Sequence, residues 1–190
     1  MATINGIREK LVIIINGSAE SGKDTLCTLA AKHYRCQNHS SIDPIKEMAR
    51  VGGWFGVKDT RSRRLLSDLK NLMIAYNDCP TKYLIRKYYE FERSDDDLLF
   101  VHIREPDEIR KFMDAIKPSE DVLLRDFAIL VRRSAAPKML GNAADDGVAG
   151  YPYDAFFVND TDMDVAEEKF VHMVETAIRF YGLRIEPIAS

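Results

Sequence analysis

Two hydrophobic periods alternate along this chain. Residues 10–15, KLVIII, form a short continuous apolar run rich in β-branched side chains, the pattern of a strand covered on both faces. From Lys23 to about Arg35 the period changes, and Leu26, Leu29, Ala30 and His33 share one side of a helix. IDPIKEMARV (42–51) predicts a second helix, with Asp43 as N-cap and Pro44 at its first position, broken by GGWFG. Leu65, Leu66, Leu69, Leu72, Met73 and Tyr76 recur at helical spacing over 60–76, and 81–92 is helical again after an Asn77–Pro80 break. LLFVHI (98–103) is a second buried strand, and FAILVRR (127–133) a third. YDAFFVND (153–160) contains a fourth, and a weaker strand falls near NHSSI (38–42). Helices are predicted over 105–116, with acids in the first turn, and over 164–181, with Phe170, Val174, Ala177, Ile178 and Tyr181 inward.

Strands separated by helices imply right-handed crossovers and a mainly parallel α/β sheet. No repeat or linker interrupts the chain, so residues 1–190 are expected to form a single domain. One stretch, 134–152, is long, rich in small residues and without periodicity, which marks a functional or disordered loop.

Composition narrows the classes of function. With 27 Lys and Arg against 30 Asp and Glu, the net charge of −3 gives no general footprint for a nucleic-acid polymer. No apolar run has the length of a membrane span, and the N-terminus lacks a signal peptide's h-region. The three cysteines, Cys27, Cys36 and Cys79, form no CxxC pair, as expected for free thiols in a reducing cytoplasm.

The strongest chemical signal is INGSAESGKDT (15–25). Gly17, four residues, Gly22 and Lys23 follow a strand and open a helix, the setting in which this spacing builds a phosphate-binding loop. Amides from Gly17, Ser18, Ala19, Glu20, Ser21 and Gly22 can curl around an anion at the positive end of a helix. Lys23 then reaches the β- and γ-phosphates of ATP, with Thr25 beside them. Asp24 stands where a hydroxyl residue is usual. A carboxylate beside triphosphate makes sense when Mg²⁺ bridges the two, so Asp24 is the expected metal ligand. The bland alternative is an acid that favours the first helical turn.

Basic residues gather at Lys46, Arg61, Arg63 and Arg64, and Arg104 ends the second strand at the edge where open α/β sheets bind ligands. Arg132 and Arg133 end the third strand and lead into 134–152. Guanidinium groups bind phosphate bidentately, which suits Arg104 and Arg132 to the transferring group. Tyr83, Leu84, Tyr88 and Phe91 fit a core better than a base-stacking surface, while Trp54 and Phe55 offer a candidate stacking pair.

SGKDT followed by DPIKEMA resembles the opening of phage-type deoxynucleoside monophosphate kinases and, more loosely, of animal phosphomevalonate kinases. RRLLSDL (63–69) and REPDEIRKF (104–112) resemble later motifs of the phage-type enzymes. YDAFFVNDTDMDVAEEKF (153–170) is similar to their closing strand and helix and to those of dephospho-coenzyme A kinase. The resemblance implies an adenylate-kinase-like three-layer fold with a five-stranded sheet, an acceptor-binding helical region at about 43–94 and a lid at about 134–152. It also implies an ATP- and Mg²⁺-dependent kinase acting on a small phosphorylated acceptor, first a nucleoside or deoxynucleoside monophosphate. In one position the sequence departs from this family: His102 stands where an acid usually orients the metal shell, with Asp43 and Glu105 as possible substitutes. That departure keeps open a nucleotide-binding sensor with weak turnover, and the acceptor class leaves phosphomevalonate or another metabolite open.

Overall fold

The structure, a computed structural model, describes residues 6–57, 59–134 and 150–188. Five strands form one wholly parallel sheet: β1 (Arg8–Gly17), β2 (Cys36–Ser40), β3 (Leu98–His102), β4 (Val122–Arg132) and β5 (Ala155–Val158). Their order is β2-β3-β1-β4-β5. Six helices among the described residues accompany them: α1 (Lys23–Ala30), α2 (Asp43–Val51), α3 (Thr60–Asn77), α4 (Cys79–Arg93), α5 (Pro106–Ala115) and α6 (Met163–Phe180).

The continuous apolar run of β1 is explained by its central place. Leu11 to Ile15 are at most 1% exposed, and successive side chains serve opposite layers. Leu11, Ile13 and Ile15 join α1 and α6 through Leu26, Ala30, Phe170 and Val174. Val12 and Ile14 join Leu84, Tyr88 and Phe91 of α4 and Ile109 and Phe112 of α5. Phe170 stacks on Phe100 and meets Phe157 edge-on, tying α6 to strands on both sides of β1. This three-layer arrangement, with a glycine loop between β1 and α1, is the P-loop NTPase fold.

Several sequence expectations shift at their edges. β4 begins at Val122 rather than 127, because its backbone pairs with Arg8–Val12 while Arg125 and Asp126 interrupt the apolar run. Asp43 is the first residue of α2, and the N-cap is Ile42, without a side-chain hydrogen bond. The Asp43 carboxylate instead turns back and accepts from the Ser40 amide at 2.7 Å. α3 forms as predicted, but Leu65, Leu72 and Tyr76 are exposed, since the helix packs chiefly against α2 and α4. Asp59 supplies its cap, accepting from the Ser62 amide at 2.7 Å. The predicted lid lies outside the described residues except at Ser134 and Gly150–Pro152.

Strand order also places the site. The chain leaves β1 toward β2 and leaves β3 toward β4, in opposite directions, although β1 and β3 are neighbours. A crevice therefore opens between their C-terminal ends, the usual ligand position in open α/β sheets.

Candidate functional site

One wall of the crevice is the loop after β1. Asn16, 1% exposed, starts it: its Oδ1 accepts from the Gly17 amide at 2.8 Å, and its Nδ2 donates to the Arg104 carbonyl and the Tyr153 hydroxyl. A Cβ on Gly17 would lie 2.5 Å from the Val131 carbonyl oxygen, so the close approach of loop to β4 requires glycine. Gly22 is left-handed (φ 86°) and caps α1 with no side-chain bond, leaving the helix N-terminus to the loop. Asn159, just past β5, donates from Nδ2 to the Ser21 carbonyl at 2.8 Å and fills the space a Gly22 Cβ would need. Ser21 Oγ is wholly buried with no hydrogen-bond partner, a polar atom held inside the loop. These features fit an anion cradle. Lys23 opens α1, and its Nζ lies 3.3 Å from the Gly17 carbonyl and 3.2 Å from that of Ser18.

Asp24 and Thr25 follow on the exposed side of the first turn. The Asp24 carboxylate is 86% exposed, and its Oδ1 lies 3.5 Å from His102 Nδ1 at the end of β3. The predicted metal ligand thus faces His102, the position where the sequence departs from the family it resembles. His102 is 7% exposed, and its Nε2 lies 2.7 Å from Asn38 Oδ1 on β2. Burial lowers its pKa to about 4, with Lys23 and Lys46 adding to the effect and Asp24 opposing it. The ring is neutral at physiological pH. Cys27 Sγ stands 3.7 Å behind Nε2, and burial raises this thiol well above its ordinary range.

The opposite wall comes from α2, α3 and the turn after β3. Together the walls enclose a cleft of about 460 Å³ that includes Lys23, Asp24, Lys46, Arg63, Lys70 and Arg104. The size suits a small metabolite. Lys46 lies 3.7 Å from Asp43, and Arg63 contacts Glu20 of the phosphate loop at 3.1 Å. Arg64 faces solvent and pairs with Asp68, outside the cleft.

Lys70 is the residue that periodicity could not single out, since it sits among the leucines of α3. It is 8% exposed and reaches Glu105 at 2.7 Å and Glu108 at 3.0 Å. Burial pushes Glu105 up, but the Lys70 charge and hydrogen bond outweigh it and the net direction is down. Burial pushes Glu108 to about 7, and Glu105 adds to the rise while Lys70 opposes it. Glu105 lies at the cleft and is engaged by Lys70, and Asp43 is engaged by Ser40 and Lys46.

Of the predicted cations, Lys23, Lys46, Arg63 and Arg104 share the cleft. Arg132 does not line it: its guanidinium lies over the Phe156 ring on β5, 4.5 Å from the centroid. Trp54 donates to the Val57 carbonyl and Phe55 is 90% exposed; neither lines the cleft. Asn38 and Asn159 carry no motif of their own, and only the pairing of strands distant in sequence brings Asn38 to His102 and Asn159 to the loop.

No family model and no curated protein matches the sequence. Among solved structures, the chain is similar to a presumed kinase from Chloroflexus aurantiacus at 14% identity and TM-score 0.49, covering 88% of this chain and 97% of that one. TT1252 from Thermus thermophilus is similar at 15% identity and TM-score 0.49, over 90% and 99% of the two chains. The tunicamycin resistance protein of Deinococcus radiodurans follows at 13% identity and TM-score 0.39, over 94% and 100%. Likeness at this level adds no argument; the fold rests on the sheet order and loop geometry above. Among the described residues no helix is long and apolar enough to cross a membrane.

Proposed function

We propose that this chain is a cytoplasmic ATP-dependent phosphotransferase acting on a small phosphorylated acceptor, first a nucleoside or deoxynucleoside monophosphate. The observation that supports this most is the shared cleft: a phosphate loop on one wall, and Lys46, Arg63 and Arg104 with it. A loop that only binds nucleotide needs no second cationic wall.

In this reading the amides from Gly17 to Gly22 and the Lys23 ammonium hold the β- and γ-phosphates, with Thr25 adjoining. Asp24 would hold Mg²⁺, which would supply charge neutralisation at the phosphates. Arg104 faces the transferring group, and Lys46 and Arg63 take the acceptor's own phosphate. The chain's work is positioning and charge neutralisation, with little covalent chemistry. Arg132, stacked on Phe156 and outside the cleft, is assigned no contact with the phosphates in this arrangement.

His102 in place of an acid favours a second reading, a nucleotide-binding sensor that turns over slowly. Measuring ADP release with ATP and Mg²⁺ across nucleoside monophosphates and small phosphorylated metabolites separates the two. Acceptor-dependent release supports the kinase. ATP binding with no release for any acceptor supports the sensor, and release without acceptor indicates plain hydrolysis.

A further inference from the structure

The pairing of β1 with β3 ends at Ile14 and Val101, whereas β1 stays paired with β4 as far as Gly17 and Val131. Past Ile14 the two neighbouring strands part at the crevice, so their ladder no longer fixes Arg104 relative to the phosphate loop. One side chain crosses the opening. Asn16, 1% exposed, accepts from the Gly17 amide at 2.8 Å through Oδ1 and donates from Nδ2 to the Arg104 carbonyl at 3.0 Å.

From this geometry we propose that Asn16 is a positioning residue for phosphoryl transfer: its amide sets Arg104 across the crevice from the phosphates that the loop holds. The role rests on the phosphotransferase reading above and adds to it a residue outside the glycine motif. Three observations carry it. The orientation of the amide is set by its partners, because the Gly17 amide can only donate and the Arg104 carbonyl can only accept. Nδ2 also donates to the Tyr153 hydroxyl at 2.8 Å, and the chain beside Tyr153 is fastened to β4. There the Asp154 amide donates to the Ala128 carbonyl at 2.9 Å, and the Asp154 carboxylate accepts from the Ala128 amide at 2.7 Å. The amide is therefore a fixed point for the turn that carries Arg104. Finally, burying an amide here carries a desolvation cost that the core does not require, since an apolar side chain would simply extend the run from Leu11 to Ile15.

The consequence falls on turnover. Displacing a group that meets the transferring phosphoryl by about 1 Å can cost on the order of a hundredfold in rate. ATP binding draws instead on Lys23 and the loop amides, which stand on β1 and α1 and do not depend on where Arg104 lies.

The test is a double-mutant cycle of Asn16→Ala with Arg104→Ala on the full chain, read as acceptor-dependent ADP release, with ATP affinity followed by calorimetry. Arg104→Ala removes the guanidinium and keeps the carbonyl, so the tether survives without the group it positions. In the parent, Asn16→Ala should lower kcat roughly tenfold or more and ATP affinity less than about threefold. With Arg104 already alanine, the same change should lower kcat no more than about twofold. Equal factors in the two backgrounds would overturn the inference and leave the phosphotransferase reading intact, because a residue that only stabilises the loop multiplies every other loss. If Asn16→Ala does not fold, Tyr153→Phe, which removes one oxygen from the brace, replaces it in the cycle. It should lower kcat about three- to fivefold in the parent and leave it unmoved with Arg104→Ala; no loss in the parent, or the same loss in both, would overturn the inference. A folded parent that binds ATP but releases no ADP with any nucleoside monophosphate or small phosphorylated metabolite would overturn both readings.

Discussion

Asn159 holds the phosphate loop from behind: its Nδ2 donates to the Ser21 carbonyl at 2.8 Å and stands where a side chain on Gly22 would fall. Its own amide donates to the Arg132 carbonyl at 2.8 Å, so the clasp is anchored to the sheet. The loop's shape therefore depends on a residue more than a hundred positions away.

Gly22→Ala should damage the loop twice over. It forces an L side chain to φ 86° and displaces the Asn159 amide, a cost of about 1–3 kcal/mol. Asn159→Asp is the gentler probe, replacing a donor by an acceptor against the Ser21 carbonyl. Thermal unfolding should show both proteins folded, and ATP affinity should fall roughly tenfold in the aspartate variant. Unchanged affinity there would mean the clasp does not set the loop.

Glu20 and Arg63 pair at 3.1 Å, joining the phosphate loop to α3. In the proposed function an acceptor phosphate competes with Glu20 for that guanidinium. Arg63→Ala should raise acceptor KM roughly tenfold or more, with ATP affinity little changed. Glu20→Gln should lower acceptor KM by a few-fold, since an exposed pair of this kind contributes little to folding. Steady-state kinetics with each substrate varied in turn checks both directions.

Glu108, held at about 7 chiefly by burial, gives a pH signature. Its folded pKa lies above the ordinary value of 4.5, so the folded state binds the proton more tightly than the unfolded state between those limits. Stability from this group is fully present below about pH 4.5 and is lost as pH rises through about 7. Glu105 has the opposite sign, but its folded pKa lies below 4.5, so its titration falls at lower pH. Glu108→Gln should flatten the decline between pH 5 and 7.5 by on the order of 1 kcal/mol in urea unfolding. A parent protein with equal stability at both pH values would contradict the Lys70 triad as described.

Much of this was legible in the sequence because local period and local motif carry it. The apolar run of β1, the loop from Gly17 to Thr25 and the buried positions Phe170, Val174, Ala177 and Ile178 of α6 are each set within a few residues. What periodicity missed depends on register between distant strands. A weaker strand is expected near 38–42 and β2 spans Cys36–Ser40, but nothing local shows that its register with β3 delivers Asn38 to His102. Lys70 was hidden because a leucine-rich helix suggests an apolar face, and its carboxylate partners come from the turn after β3 and from α5. Leu65, Leu72 and Tyr76 recur at helical spacing but are exposed, because α3 packs chiefly on α2 and α4.

The central claim is that the loop from Gly17 to Thr25 holds the phosphates of ATP, and calorimetric titration of ATP into the parent and Lys23→Ala tests it most directly. Removing one charge-assisted phosphate contact is worth roughly 1.5–3 kcal/mol, about ten- to a hundredfold in affinity. The account predicts a saturable parent isotherm that weakens by that factor in the variant, with the melting temperature of the protein alone unchanged. Equal affinities for parent and variant, or no ATP binding by the folded parent, would contradict it.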